Sequence, residues 1–304
     1  MVHSATPSRR LDIEKNLFFA RDFQFRFDDR AGQDIHLSVS DWAASSYPPR
    51  RPPAPNFWMT VPPSIDAQEK IESLRAPPRA GLVGEVCGLL ELPRLLLHIR
   101  MLARQPRGKG EPVLVLPGYR AGDASTALLQ SYLRLLGYRV RGLGPRAGSA
   151  EVPELLARAL KRLVSIARRS RQQVRLVGWS LGGYLAREAA RERPDLVRRV
   201  ITLGTPVVGG PKYTVVAHGL RRRGIDIDAI VAEIEARDRV ELTTPVTAIY
   251  SRADAVVAWA ACIDRRCANV EHIEVSATHL GLGFSPQVYR IIAERLADRG
   301  AARL

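Results

Sequence analysis

Cysteine is scarce, with three in 304 residues. An odd, low count excludes the disulfide framework of a small secreted scaffold. Cys262 and Cys267 are close enough in sequence to bridge, but free thiols are expected. Lysine is nearly missing too: Lys15, Lys70, Lys109, Lys161 and Lys212 are the only ones among 46 basic residues, so arginine carries the formal net charge of +15. The arginines are spread over many segments without interleaved aromatic rings. That argues against a nucleic-acid groove, where bases stack on rings set among the charges. They read instead as solvated helix faces, with an anionic membrane surface as the peripheral partner such a charge favours. The N-terminus, MVHSATPSRRLDIEKN, lacks the uninterrupted apolar core of a secretory signal, and a cytoplasmic location is expected.

What is present has a clear order. An N-terminal extension is expected over residues 1–80. Phe23, Phe25 and Phe27 alternate with polar residues, and so do Ile35, Leu37 and Val39 beyond a Gly-containing turn, which predicts a β-hairpin within about 17–40. Residues 47–63 hold seven prolines and form neither helix nor central strand, so an extended connector is expected over 47–79. The strongly apolar stretch 82–102 is interrupted by Glu85, Glu91, Pro93, Arg94, His98 and Arg100, a costly composition for a membrane span. It predicts an amphipathic helix broken near Pro93 that covers the domain or touches a lipid interface. His98 reads as a structural histidine.

From residue 81 to 304 strands alternate with helices. Strands are expected at 112–116, 138–142, before Ser180, and at 200–203, 245–250 and 270–275. Helices are expected from Asp123 or Ser125, either a fitting N-cap, to Leu136, and at 152–169, 181–192, 227–237 and 286–298. Alternation of this kind predicts an α/β fold, a doubly wound and mostly parallel sheet with right-handed crossovers. Residues 206–240 break the rhythm and are placed to act as a lid.

One stretch, Gly178-Trp179-Ser180-Leu181-Gly182, lies between an apolar strand and a helix-forming run. That is the setting of a nucleophile elbow, in which glycines at 178 and 182 allow a strained turn that presents Ser180. The pattern recurs by chance, so its neighbours must carry the inference. A serine hydroxyl needs a base to take its proton and an acid to orient that base. Asp254 and His279 each follow a later strand, in the order serine, acid, histidine. Asp264, in a basic loop, and Glu271, at a strand start, are poorer acids; His272 and His218 are poorer bases by the same placement argument. An oxyanion needs two amide donors. The N–H of Leu181 and the N–H of Tyr119, in the Pro117-Gly118-Tyr119 loop after the first strand, are the candidates.

With LPGY at 116–119, GWSLGG at 178–183, YSRADAVVAW at 250–259 and THLGLG at 278–283, the chain from about residue 85 onward resembles the α/β-hydrolase superfamily, lipase-like and esterase-like members in particular. PGY stands where many members have His-Gly. The resemblance implies an α/β-hydrolase fold, Ser180 as nucleophile, His279 as base, Asp254 as acid, and cleavage of carboxylic esters through an acyl-enzyme. A small-molecule ester or lipid substrate is implied, with no cofactor and no metal. Acyl transfer by the same triad, or a non-catalytic binding protein on this fold, are the alternatives. The sequence sets neither the substrate nor the oligomeric state.

Overall fold

The computed structural model describes residues 24–28, 34–38, 74–144 and 151–297. The chain divides into two units, Met1–Pro62 and Pro63–Leu304. In the first, β1 (Gln24–Asp28) pairs antiparallel with β2 (Asp34–Ser38), with Phe25 opposite Leu37 and Phe27 opposite Ile35. The expected hairpin is therefore present. The proline-rich connector lies outside the described residues up to position 73.

The second unit contains a six-stranded parallel sheet of β3 (Pro112–Leu116), β4 (Arg139–Gly142), β5 (Val174–Trp179), β6 (Val197–Leu203), β7 (Val246–Tyr250) and β8 (Val270–Glu274), in the order β4-β3-β5-β6-β7-β8. Continuous apolar runs such as Pro112–Leu116 suit strands covered on both faces. Successive residues then point into opposite layers. Val113 and Val115 join one core with Leu129 and Leu133 of α4 (Ala127–Leu135) and with Tyr289, Ile292 and Leu296 of α9 (Pro286–Ala297). Leu114 and Leu116 join the other with Leu155 and Leu163 of α5 (Val152–Ser170) and Leu185 and Ala189 of α6 (Leu181–Glu192). The result is a doubly wound, three-layer α/β structure.

Strand order reverses beside β3, because β4 lies on one side of it and β5 on the other. Ligands of open α/β sheets bind outside the carboxyl ends of strands at such a switch point. Register aligns those ends: Leu116 pairs with Gly178, Trp179 with Leu203, Leu203 with Ile249, and Tyr250 with Glu274. Ser180 and the loops after β3, β6, β7 and β8 therefore meet at one rim.

Three local expectations need correction. The segment at 82–102 is not broken at Pro93, which lies in the first turn of α2 (Glu91–Leu97), where a missing N–H costs nothing. The breaks fall at the 3₁₀ turn Val86–Leu90, which follows α1 (Leu82–Glu85), and at His98, before α3 (Ile99–Ala103). Neither Asp123 nor Ser125 caps the helix after β3. They belong to a 3₁₀ turn, and the Asp123 carboxylate instead accepts from the amides of Leu143 and Gly144 at 3.0 and 2.9 Å, beyond the end of β4. Strand β6 begins at Val197, three residues before the predicted 200. His98 is the structural histidine expected, its Nδ1 2.8 Å from the Arg94 carbonyl. All three cysteines are free thiols. Among the described residues no helix is long and apolar enough to cross a membrane.

Between β6 and β7 the insertion folds into α7 (Val216–Arg222) and α8 (Ile227–Arg237). Backbone bonds tie it to the loop after β7: the Val215 N–H donates to Val256 O at 2.9 Å and the Ala258 N–H to Tyr213 O at 3.0 Å. Its Arg223 Nη1 also lies 3.4 Å from Tyr119 Oη, so the insertion reaches the loop after β3.

Candidate active site

Ser180 is the hinge between β5 and α6, with φ 54° and ψ −119°. A left-handed φ is costly for a residue with a side chain and persists only when its surroundings enforce it. Here they do. The Ser180 N–H donates to Leu203 O on the neighbouring strand at 2.7 Å, and Thr205 Oγ1 donates to the Ser180 carbonyl at 2.9 Å. The flanking glycines are required by space. A Cβ on Gly178 would strike the backbone of Gly182 and Gly183, and one on Gly182 would strike the Leu116 carbonyl and lie 2.6 Å from that of Pro117. Gly183, which sequence reasoning left aside, is equally constrained, with a Cβ site 2.9 Å from Thr205 Cβ.

Asp254 follows β7 and His279 follows β8; both are buried. His279 Nδ1 lies 2.6 Å from Asp254 Oδ2. The other carboxylate oxygen, Oδ1, accepts from the amides of Val256 and Val257 at 2.8 and 2.7 Å. An ionised carboxylate only accepts, so Nδ1 carries the proton, and Nε2 is left as the acceptor. Gly204, directly after β6, lies beside this pair: a Cβ there would be 3.0 Å from both Asp254 Oδ2 and His279 Nδ1. Its neighbour Leu203 accepts from the Ser180 N–H, so serine, acid and histidine share one end of the sheet. Trp179 packs near the imidazole, with ring centroids 6.1 Å apart.

The loop after β3 closes the other side. A Cβ on Gly118 would lie 3.5 Å from Ser180 Cβ, so this loop runs against the serine. Tyr119 follows, half-exposed, and Leu181 opens α6, where first-turn amides lack intrahelical partners.

Three of the competing residues are occupied elsewhere. Asp264 pairs with Arg187; burial opposes its ionisation, but that guanidinium and the amides of Arg266 and Cys267 hold its pKa below the usual value. Glu271 is bidentate with Arg295 at 2.6 and 2.7 Å. His272 accepts from the Asp264 amide at 2.9 Å through Nε2, and burial pushes its pKa down.

Two residues that sequence reasoning did not single out support these loops. Ser251 Oγ accepts from the amides of Ala253 at 3.1 Å and Ala277 at 3.3 Å, joining the loops that carry Asp254 and His279. Glu85, read from sequence as a charge within an apolar run, is buried against both. Position within a folded loop gives such residues no local signature.

Many solved structures share this architecture. The lipase BlEst2 of Bacillus licheniformis aligns with a TM-score of 0.50 at 15% identity, over 64% of this chain and 94% of that one. The fold is that of the α/β-hydrolases. Aspergillus fumigatus lipase B (TM-score 0.47, 19% identity, 62% of this chain and 52% of that) and the Paleococcus ferrophilus monoacylglycerol lipase (0.46, 18%, 62% and 96%) are also similar. No protein-family model matches the sequence, and no curated protein matches it. At these identities the likeness establishes the fold; function rests on the site itself.

Proposed function

We propose that the protein is a serine hydrolase that cleaves carboxylic esters through an acyl-enzyme. The observation that carries this reading is the buried 2.6 Å bond between His279 Nδ1 and Asp254 Oδ2, set at the same sheet end as a serine held at φ 54°. Asp254, fixed by two amides, holds the imidazole in the tautomer whose Nε2 is free to take the Ser180 proton. Ser180 Oγ attacks the ester carbonyl. The N–H groups of Leu181 and Tyr119 stabilise the oxyanion, and His279 returns the proton to the leaving alcohol. Water, deprotonated by His279, then releases the acid. The 206–240 insertion, anchored to the Asp254 loop and reaching Tyr119, borders the substrate space. Small-molecule esters or lipids are the substrate class, in keeping with the lipases of similar fold.

Covalent labelling tests this directly. A fluorophosphonate is expected to form one adduct at Ser180 in the folded protein and none in Ser180→Ala. Absence of the Ser180 adduct in folded protein refutes the proposal.

A further inference from the structure

We infer that Glu85 is a positioning residue for the Asp254–His279 pair, an assignment that rests on the hydrolase reading above. Its carboxylate is buried, and its bonds all cross to the two loops of interest. Oε1 accepts from the Ala255 amide at 2.8 Å and the His279 amide at 3.1 Å, and Oε2 accepts from the Leu280 amide at 2.8 Å. One side chain thus binds the residue after the acid, the histidine itself, and the residue after the histidine. The Asp254–His279 bond spans two separate loops and depends on their spacing. Glu85 fixes that spacing from outside the sheet.

The segment that delivers Glu85 is shaped for this contact. Gly81, Glu85, Gly88 and Glu91 are spaced four, three and three residues apart, which places them on one helical face. Each meets the loops. A Cβ on Gly81 would lie 3.0 Å from Ala255 Cβ, one on Gly88 would lie 2.6 Å from Gly281 N, and one on Gly281 would lie 3.5 Å from Glu91 Cγ. The opposite face carries Val83, Val86, Leu90, Leu96 and Leu97, all exposed, the last at 81%. An ordinary surface helix buries its apolar stripe. Over residues 81–91 glycines and carboxylates are turned inward instead, ahead of the buried Leu95, so backbone approach and amide bonding dictate the packing there rather than apolar burial. A carboxylate is the suitable group because the loops present three N–H donors, and it accepts on both oxygens without donating. Glutamine has one acceptor oxygen, and its NH₂ would face an amide donor.

The test uses the full chain with p-nitrophenyl butyrate as substrate, and kcat is normalised to active sites titrated with fluorophosphonate. Glu85→Gln is expected to lower kcat per titrated site about 100-fold with KM within about threefold, the loss associated with a misplacement on the order of 1 Å. The low-field proton resonance of His279 Nδ1–H is expected to broaden or vanish. Gly88→Ala, which displaces the segment but keeps the carboxylate, is expected to give an intermediate loss. Leu95→Ala, which removes a buried apolar side chain of α2 and leaves the Glu85 carboxylate in place, is expected to lower the melting temperature while kcat per site stays within about threefold. Unchanged kcat per site and an intact resonance in Glu85→Gln overturn the assignment, as does an equal loss of kcat in Leu95→Ala. Missing Ser180 labelling in the unmodified protein overturns the hydrolase reading instead, and the histidine resonance still reports whether Glu85 holds the pair.

Discussion

Asp254→Asn changes a single atom and isolates the tautomer of His279. The asparagine has one oxygen and one NH₂ to place where the aspartate has two oxygens. Turned one way, its oxygen keeps the Val256 and Val257 amides, which lie at 2.8 and 2.7 Å from Oδ1, and its NH₂ faces His279 Nδ1. Turned the other way, NH₂ confronts two N–H donors. Each stranded buried donor costs about 1–3 kcal/mol, so the first orientation is favoured by about 2–6 kcal/mol. His279 must then accept at Nδ1 and carry its proton on Nε2, where it cannot take the Ser180 proton. The expected fall in kcat is about 10⁴-fold, the scale seen when a triad histidine is held in the wrong tautomer. Because every other contact survives, the melting temperature should move little. The assay is steady-state ester hydrolysis on site-titrated protein, beside a thermal melt. A variant that keeps more than about a tenth of the activity, a loss below 1.4 kcal/mol, would show that this bond does not set the base.

Two further outcomes follow from packing and from charge. Gly182→Ala drives a methyl into the Leu116 and Pro117 carbonyls, whereas the nearest atoms to a Cβ on Gly118 are 3.5 Å away. The first should cost about 1–3 kcal/mol and several degrees of melting temperature, and the second should leave the melt nearly unchanged; equal melts refute the packing argument. Burial holds His272 below the ordinary histidine pKa, with Asp264 opposing and Arg187 and Arg265 reinforcing. The unfolded chain therefore binds a proton there that the folded one refuses, and stability falls as pH drops below about 6.5. Thermal melts at pH 7 and pH 5 should show a smaller acid loss in His272→Gln, whose amide oxygen can still accept from Asp264; an identical loss would refute the sign.

The sequence by itself determined the layered α/β fold, the hairpin and the chain order of Ser180, Asp254 and His279. These follow from signals local to a few residues: alternating or continuous apolar runs, glycines at the elbow, and polar residues just past strand ends. It misplaced Asp123 because a carboxylate before a helix suits a cap and a distant loop equally well, and only the closeness of Leu143 chose between them. It misread Glu85 for the same reason. The amides that Glu85 binds lie 170, 194 and 195 residues away, and only the parallel register of β7 and β8 brings their loops within reach of one carboxylate. Helical periodicity predicts which residues share a face, but not which face is buried. That was decided by the partner surface, which around Glu85 offers backbone N–H groups and, farther along at Leu95 and Leu102, an apolar core.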